Sequence, residues 1–148
     1  MHKENEVYCS FTNNWGEDIS LVKLSHWLTS TDSLGKREFV TQTINFMSDG
    51  ATIERVLVFP FRKNIELCND EQYDANGFCA IADNIDNWDI TLETNSGKIY
   101  KPVGECICSL WYGDNNNYIN LGVDRDDKKF YVNFSNYSGC YIYLKQVN

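Results

Sequence analysis

Basic side chains, histidine and proline are all scarce in this chain of 148 residues, and each scarcity removes a class of protein. Lys and Arg number 13 against 21 Asp and Glu, a formal net charge of -8, so a phosphate backbone is repelled and nucleic acid is excluded as a partner. The two histidines lie far from any cysteine cluster and no Cys-x-x-Cys pair occurs, which argues against zinc. No Ser-His-Asp order resembles a nucleophile elbow and no motif brings together an acid, a base and a nucleophile, so the chain reads as a non-enzyme. No apolar stretch approaches the roughly 20 residues of a transmembrane helix. Two prolines with 43% hydrophobic residues describe a packed core rather than a disordered chain. The polar opening Met1-His2-Lys3-Glu4-Asn5-Glu6 leads into no signal peptide, so the chain is expected either to be made without one or to follow one already removed.

What is present is aromatic and strand-forming. Nine Tyr, eight Phe and four Trp make 14% of the chain, alongside many Asn, Asp, Thr, Ile and Gly. Alanine and arginine are few, so helices are disfavoured and short strands joined by polar turns are expected.

A two-residue period marks the strands. Val7, Cys9 and Phe11 alternate with Tyr8, Ser10 and Thr12, and Asn13-Asn14-Trp15-Gly16 follows as a turn. Ile19 and Leu21 set one parity and Val22, Leu24, His26 and Leu28 the other, which marks a β-bulge or a strand buried on both faces. Further strands are predicted at 39–46, 52–59, 88–92, 98–101, 105–112, 118–123, 129–134 and 140–147. Ser48-Asp49-Gly50, Asn95-Ser96-Gly97 and residues 124–128 are the clearest turns between them. Residues 61–85 break the rhythm as a polar insertion with room for a turn or two of helix. The expected fold is all-β: an antiparallel β-sandwich of about nine to ten short strands, in one domain over 1–148, with one long insertion loop.

Cysteine spacing leaves several connectivities open. Cys68 and Cys79 bracket the insertion, where a disulfide would contribute about 3 kcal/mol through chain entropy. Cys106 and Cys108 are two apart on one strand, share a face, and each need a partner elsewhere. The competing reading is that the strand cysteines are reduced, buried and hydrophobic.

Asp83, Asp86 and Asp89 form the acidic cluster best placed for a loop-bound calcium ion, though without an EF-hand pattern, and solvated turns are the weightier reading. His26 reads as a core or edge histidine and Trp88 as core. Trp15, Trp27, Trp111 and Tyr112, with Tyr118, Tyr137, Tyr141 and Tyr143, fall at turns or on the polar parity of strands. Aromatic rings exposed in this way stack on sugars or sit at lipid headgroups, and the first four are the expected ligand-binding residues. Asn133-Phe134-Ser135 and Asn136-Tyr137-Ser138 match glycosylation sequons, which overlap a tight turn.

Four segments carry a family resemblance. Residues 13–19 with Val22-Lys23-Leu24-Ser25-His26, Asp86-Asn87-Trp88-Asp89-Ile90, Gly97-Lys98-Ile99-Tyr100 running on to Cys108-Ser109-Leu110, and Phe130-Tyr131-Val132-Asn133-Phe134 with Ser138-Gly139-Cys140 together span most of the chain. They resemble the up-regulated-in-Daf domain, a small all-β family of nematode stress-response proteins and scattered microbes. The insertion departs from that family, as do Cys9, Cys68, Cys79 and Cys106. The resemblance implies a β-sandwich without an assigned biochemical role. It also implies pairing of Cys108 with Cys140, since both lie in the matching segments; Cys9 is then left with Cys106.

The function expected is a binding module that recognises a glycan, lipid headgroup or protein surface through loops and exposed aromatics, in defence, toxin action or stress response. The alternative is a protein-interaction or oligomerisation unit that docks through the 61–85 insertion or a sheet edge. Paired cysteines would place the chain outside the cell, and reduced ones in the cytoplasm.

Overall fold

The computed structural model describes residues 6–29, 37–60, 85–108, 118–134 and 139–148. Among them are ten strands: β1 (Glu6–Asn14), β2 (Ile19–Thr29), β3 (Arg37–Ile44), β4 (Thr52–Pro60), β5 (Ile85–Thr94), β6 (Ile99–Pro102), β7 (Cys106–Ile107), β8 (Tyr118–Asp124), β9 (Lys129–Phe134) and β10 (Gly139–Gln146). The described residues contain no helix. The insertion, with its expected turn of helix, lies outside them.

Strand spacing does not distinguish two stacked sheets from one sheet curled on itself. Here the sheet is continuous, in the order β3-β2-β5-β6-β10-β9-β8-β1-β4, with β7 paired to β5. It is nearly barrel-shaped, because its edge strands β3 and β4 come into contact without a ladder between them. Nor is it wholly antiparallel: β1 and β8 run parallel over seven residue pairs, from Tyr8↔Tyr118 to Asn14↔Asp124. The last strand serves both halves, since residues 139–143 of β10 pair with β9 and residues 144–146 with β6.

Parity decides what is inside. Val7, Cys9 and Phe11 of β1, Ile119, Leu121 and Val123 of β8, and Phe130 and Val132 of β9 all face the core. Burying each large side chain of this kind contributes about 1.5–3 kcal/mol. Trp88 of β5 is central, and its Nε1–H donates to the Cys108 carbonyl at 3.0 Å. Among the described residues three register shifts interrupt the ladders, one of them between β2 and β3 at His26–Leu28, and the other two keep the inward parity in register. One, between Ile19 and Leu21, accounts for the parity switch in β2. The other lies opposite the Cys9–Phe11 stretch of β1, where β4 takes Arg55 to φ 54°. Gly50 and Gly97, at φ 80° and 88°, supply the left-handed residues their turns require.

A buried amide joins two turns. Asn13 Nδ2 donates to the carbonyls of Glu17, Met47 and Ser48 at 3.0, 3.3 and 3.1 Å, while its Oδ1 accepts the Trp15 N–H at 2.9 Å. One side chain therefore fastens the β1–β2 turn to the β3–β4 turn. Truncation leaves several buried backbone groups without partners, so Asn13→Ala is expected to lower unfolding stability by about 2–3 kcal/mol. Chemical denaturation measures this, and a loss below about 0.5 kcal/mol, the level of an ordinary surface substitution, contradicts it.

Candidate functional site

Two places gather chemistry among the described residues. The first is internal. His26 of β2 and Asp86 of β5 are 1% and 2% exposed, and His26 Nε2 lies 2.9 Å from Asp86 Oδ1. The imidazole ring stacks on Phe59 at 3.7 Å and meets Trp88 edge-on at 4.6 Å. With Nε2–H donating to the carboxylate, Nδ1 is left without a partner. A carboxylate orienting an imidazole is half of a catalytic constellation. The other half, a reactive nucleophile, is not supplied by Cys9, whose thiol is held far above the usual range by burial and then by the Asp86 charge. The pair reads as a core tie between β2 and β5, as expected for a core histidine.

The second place is an open cleft of about 650 Å³ on the outer face of β1, β8, β9 and β10. It is lined by Asn14, Asp124, Lys129, Tyr131, Asn133, Phe134, Gly139, Cys140 and Tyr141. Register builds it in rows across the sheet. Thr12, Gly122, Tyr131 and Tyr141 lie side by side, flanked by Asn14, Asp124, Lys129 and Tyr143 on one side and by Ser10, Asn120, Asn133 and Gly139 on the other.

Gly122 makes the floor. Tyr131 lies across it so closely that a Cβ there would collide with the phenol ring. The Tyr131 hydroxyl thereby reaches Asn14 and Thr12; burial raises its pKa, and these two hydrogen bonds partly oppose that. Tyr141 and Tyr143 stand outward, 56% and 53% exposed, with ring centroids 5.5 Å apart in a T-shaped pair. The Lys129 ammonium lies 5.0 Å from the Tyr141 ring centre and 3.2 Å from Asp127 Oδ2. Hydrogen bonding to Asp127 raises the Lys129 pKa, so the ammonium stays charged.

Of the four expected ligand-binding residues, the two that are described lie away from the cleft. Trp15 is 2% exposed and packs edge-on against Tyr100, so it is a core residue and not a surface platform. The turn that carries Trp15 is folded inward by the Asn13 hydrogen bonds. Trp27 is half-buried and stacks on Phe39 at 5.4 Å, several strands away from the cleft. Trp111, Tyr112 and Tyr137 lie outside the described residues, as do Asp83, Cys68 and Cys79. Asp86 and Asp89 do not converge on a metal ion: three residues apart on one strand, they occupy opposite faces, with Asp86 inside and Asp89 exposed.

Cys108 and Cys140 form a disulfide with Cα atoms 5.9 Å apart, which fastens β7 to the start of β10 at the cleft. The pairing of Cys9 with Cys106 is not formed. Both are free and buried, Cys9 on β1 beside β4 and β8, and Cys106 on β7 opposite Trp88 of β5. Burial, followed by the Asp89 charge, pushes the Cys106 thiol up to about 11. The cleft itself had one sequence signal: the outward parity of the last three strands is almost wholly Tyr, Asn, Asp, Lys and Gly.

Two outcomes follow. In the native protein at neutral pH, Cys9 and Cys106 resist an alkylating reagent, and both react once denaturant is added; peptide mass mapping reads this, and rapid native alkylation of either contradicts it. Gly122→Ala lifts the Tyr131 ring and costs about 1–3 kcal/mol, seen as a lower melting temperature and shifted Tyr131 ring resonances. Unchanged resonances would remove Gly122 as the basis of the floor. Compared with known proteins, the chain matches no family model and no curated protein.

Proposed function

We propose that the protein is a non-enzymatic glycan-binding module and that the cleft over β8, β9 and β10 is its binding surface. The observation that carries this reading is the composition of the cleft. Exposed Tyr141 and the flat Tyr131 stand beside Asn14, Asp124 and Asn133. Sugar rings offer apolar C–H faces to an aromatic plane, and their hydroxyls pair with amides and carboxylates, which donate and accept in fixed geometry. The site is also largely formed in advance, because all the named side chains except Asn14 and Asp124, which end their strands, sit within strands of one sheet.

A lipid-headgroup site fits less well. Asp124 lines the cleft and Asp127 pairs with its Lys129, and these carboxylates oppose an anionic membrane surface. Docking of a protein through a sheet edge is also less favoured, since β3 and β4 face each other across a narrow seam. The Cys108–Cys140 disulfide suits an oxidising setting outside the cell, where glycans are met in defence or stress.

Binding to an array of neutral hexose and N-acetylhexosamine oligosaccharides, followed by calorimetry on the best of them, tests the reading. Tyr141→Ala is expected to weaken binding roughly tenfold with the melting temperature unchanged. Absence of any glycan binding by the wild type, or full affinity in Tyr141→Ala, contradicts the assignment.

A further inference from the structure

The same outer face has a second feature that the cleft does not use. At the β4 bulge, Arg55 adopts φ 54°, a left-handed conformation costly for a side chain of its kind. That backbone aims the guanidinium across the face, where its Cζ lies 4.2 Å from the ring centre of Tyr8. Tyr8 is the direct partner of Tyr118 on the parallel strand β8, and Tyr118 is exposed. Among the described residues no carboxylate pairs with Arg55, although acidic residues outnumber basic ones 21 to 13. Bulges of this kind re-aim a side chain, and here the re-aimed Arg55 lies over Tyr8 while staying exposed to solvent.

We infer that Arg55 over Tyr8 forms a second subsite, which binds a carboxylate on the same glycan whose neutral rings occupy the cleft. This rests on the glycan reading above and specifies the ligand: an extended oligosaccharide of neutral rings that carries one carboxylate at its far end, rather than a single neutral sugar. Geometry sets the length. Tyr118 and Gly122 are four residues apart along β8, a span of roughly 13 Å at the usual strand rise, longer than one sugar ring. The exposed amides between them, Asn120 and Asn133, line the path, and the buried Ser10 holds Asn120 in place, its Oγ donating to Asn120 Oδ1 at 2.8 Å. A guanidinium fork meets a carboxylate through two parallel N–H···O bonds, and an aromatic plane beneath it keeps that fork in one orientation.

Matched oligosaccharides test this: a neutral oligosaccharide ending in one uronate and the same oligosaccharide with that carboxyl reduced to the alcohol, titrated into wild type, Arg55→Gln and Arg55→Gly. Wild type is expected to prefer the acidic member about tenfold, because a hydrogen-bonded charge is worth more than a neutral contact. Both variants lose that preference and keep their affinity for the reduced chain. Arg55→Gly also raises the melting temperature, since glycine accepts the positive φ, so loss of preference in that variant is not misfolding. Equal wild-type affinity for both members, or a preference that survives both variants, overturns the subsite while the glycan reading stands. Absence of binding to either member and to the neutral array overturns both together.

Discussion

A sheet curled until its edges nearly meet has one inside and one outside, and every strand must keep the same side of its pleat turned inward. The rest of the molecule follows from that constraint. Trp88, Phe11, Phe130 and the aliphatic residues around them fill a single core because nine strands in sequence around the sheet present their inward parity to it. Where the chain loses parity it is restored locally, by a bulge at Ile19 in β2 and by the wider bulge at Arg55 in β4. Outward positions are relieved of packing, so on β8, β9 and β10 they are free to carry Tyr, Asn, Asp and Lys.

Polar groups inside such a core persist only when paired. Asn13 meets this by using both ends of its amide, and it orders two turns in doing so. His26 and Asp86 meet it through each other at Nε2 alone, with Nδ1 left unpartnered and Phe59 and Trp88 closing around the imidazole. These pairs are specific as well as stabilising: each fixes the register of one strand on its neighbour, in a sheet where a slip of one residue would turn the core outward. The disulfide does similar work for β7, a two-residue strand too short to hold its place through its own ladder.

Much of this was legible in the residues. Alternation in Val7-Cys9-Phe11 and Trp88-Ile90-Leu92 gives the strands and the core side chains, and the glycines at 16, 50 and 97 mark turns that do take positive φ. The identity of the pairing partners was not legible, because period-two patterning reports which side of a strand is buried and is silent about its neighbours. Hence the parallel β1–β8 pair, more than a hundred residues apart in sequence, was not anticipated. The burial of Trp15 was hidden for a related reason. Trp15 sits at a turn, where exposure is the usual rule, but the hydrogen bonds of Asn13 fold that turn inward. The cleft, in turn, depends on cross-strand rows, and a row combines residues from four strands that no local window spans.

The parallel pairing of β1 with β8 also governs the order in which the chain can assemble. On a ribosome, β1 emerges before both its partners and can pair with β4 soon afterwards, yet its other edge waits until residue 118 and beyond have been made. Until then the row of backbone groups along Tyr8 to Asn14 is an open template next to the apolar side chains of Cys9 and Phe11. Contacts of such long range are also slow to form, since the entropy of closing the intervening loop is lost before any pairing is gained. The vulnerable interval is therefore the synthesis of the residues between β1 and β8, and the strand most in need of shelter then is β1.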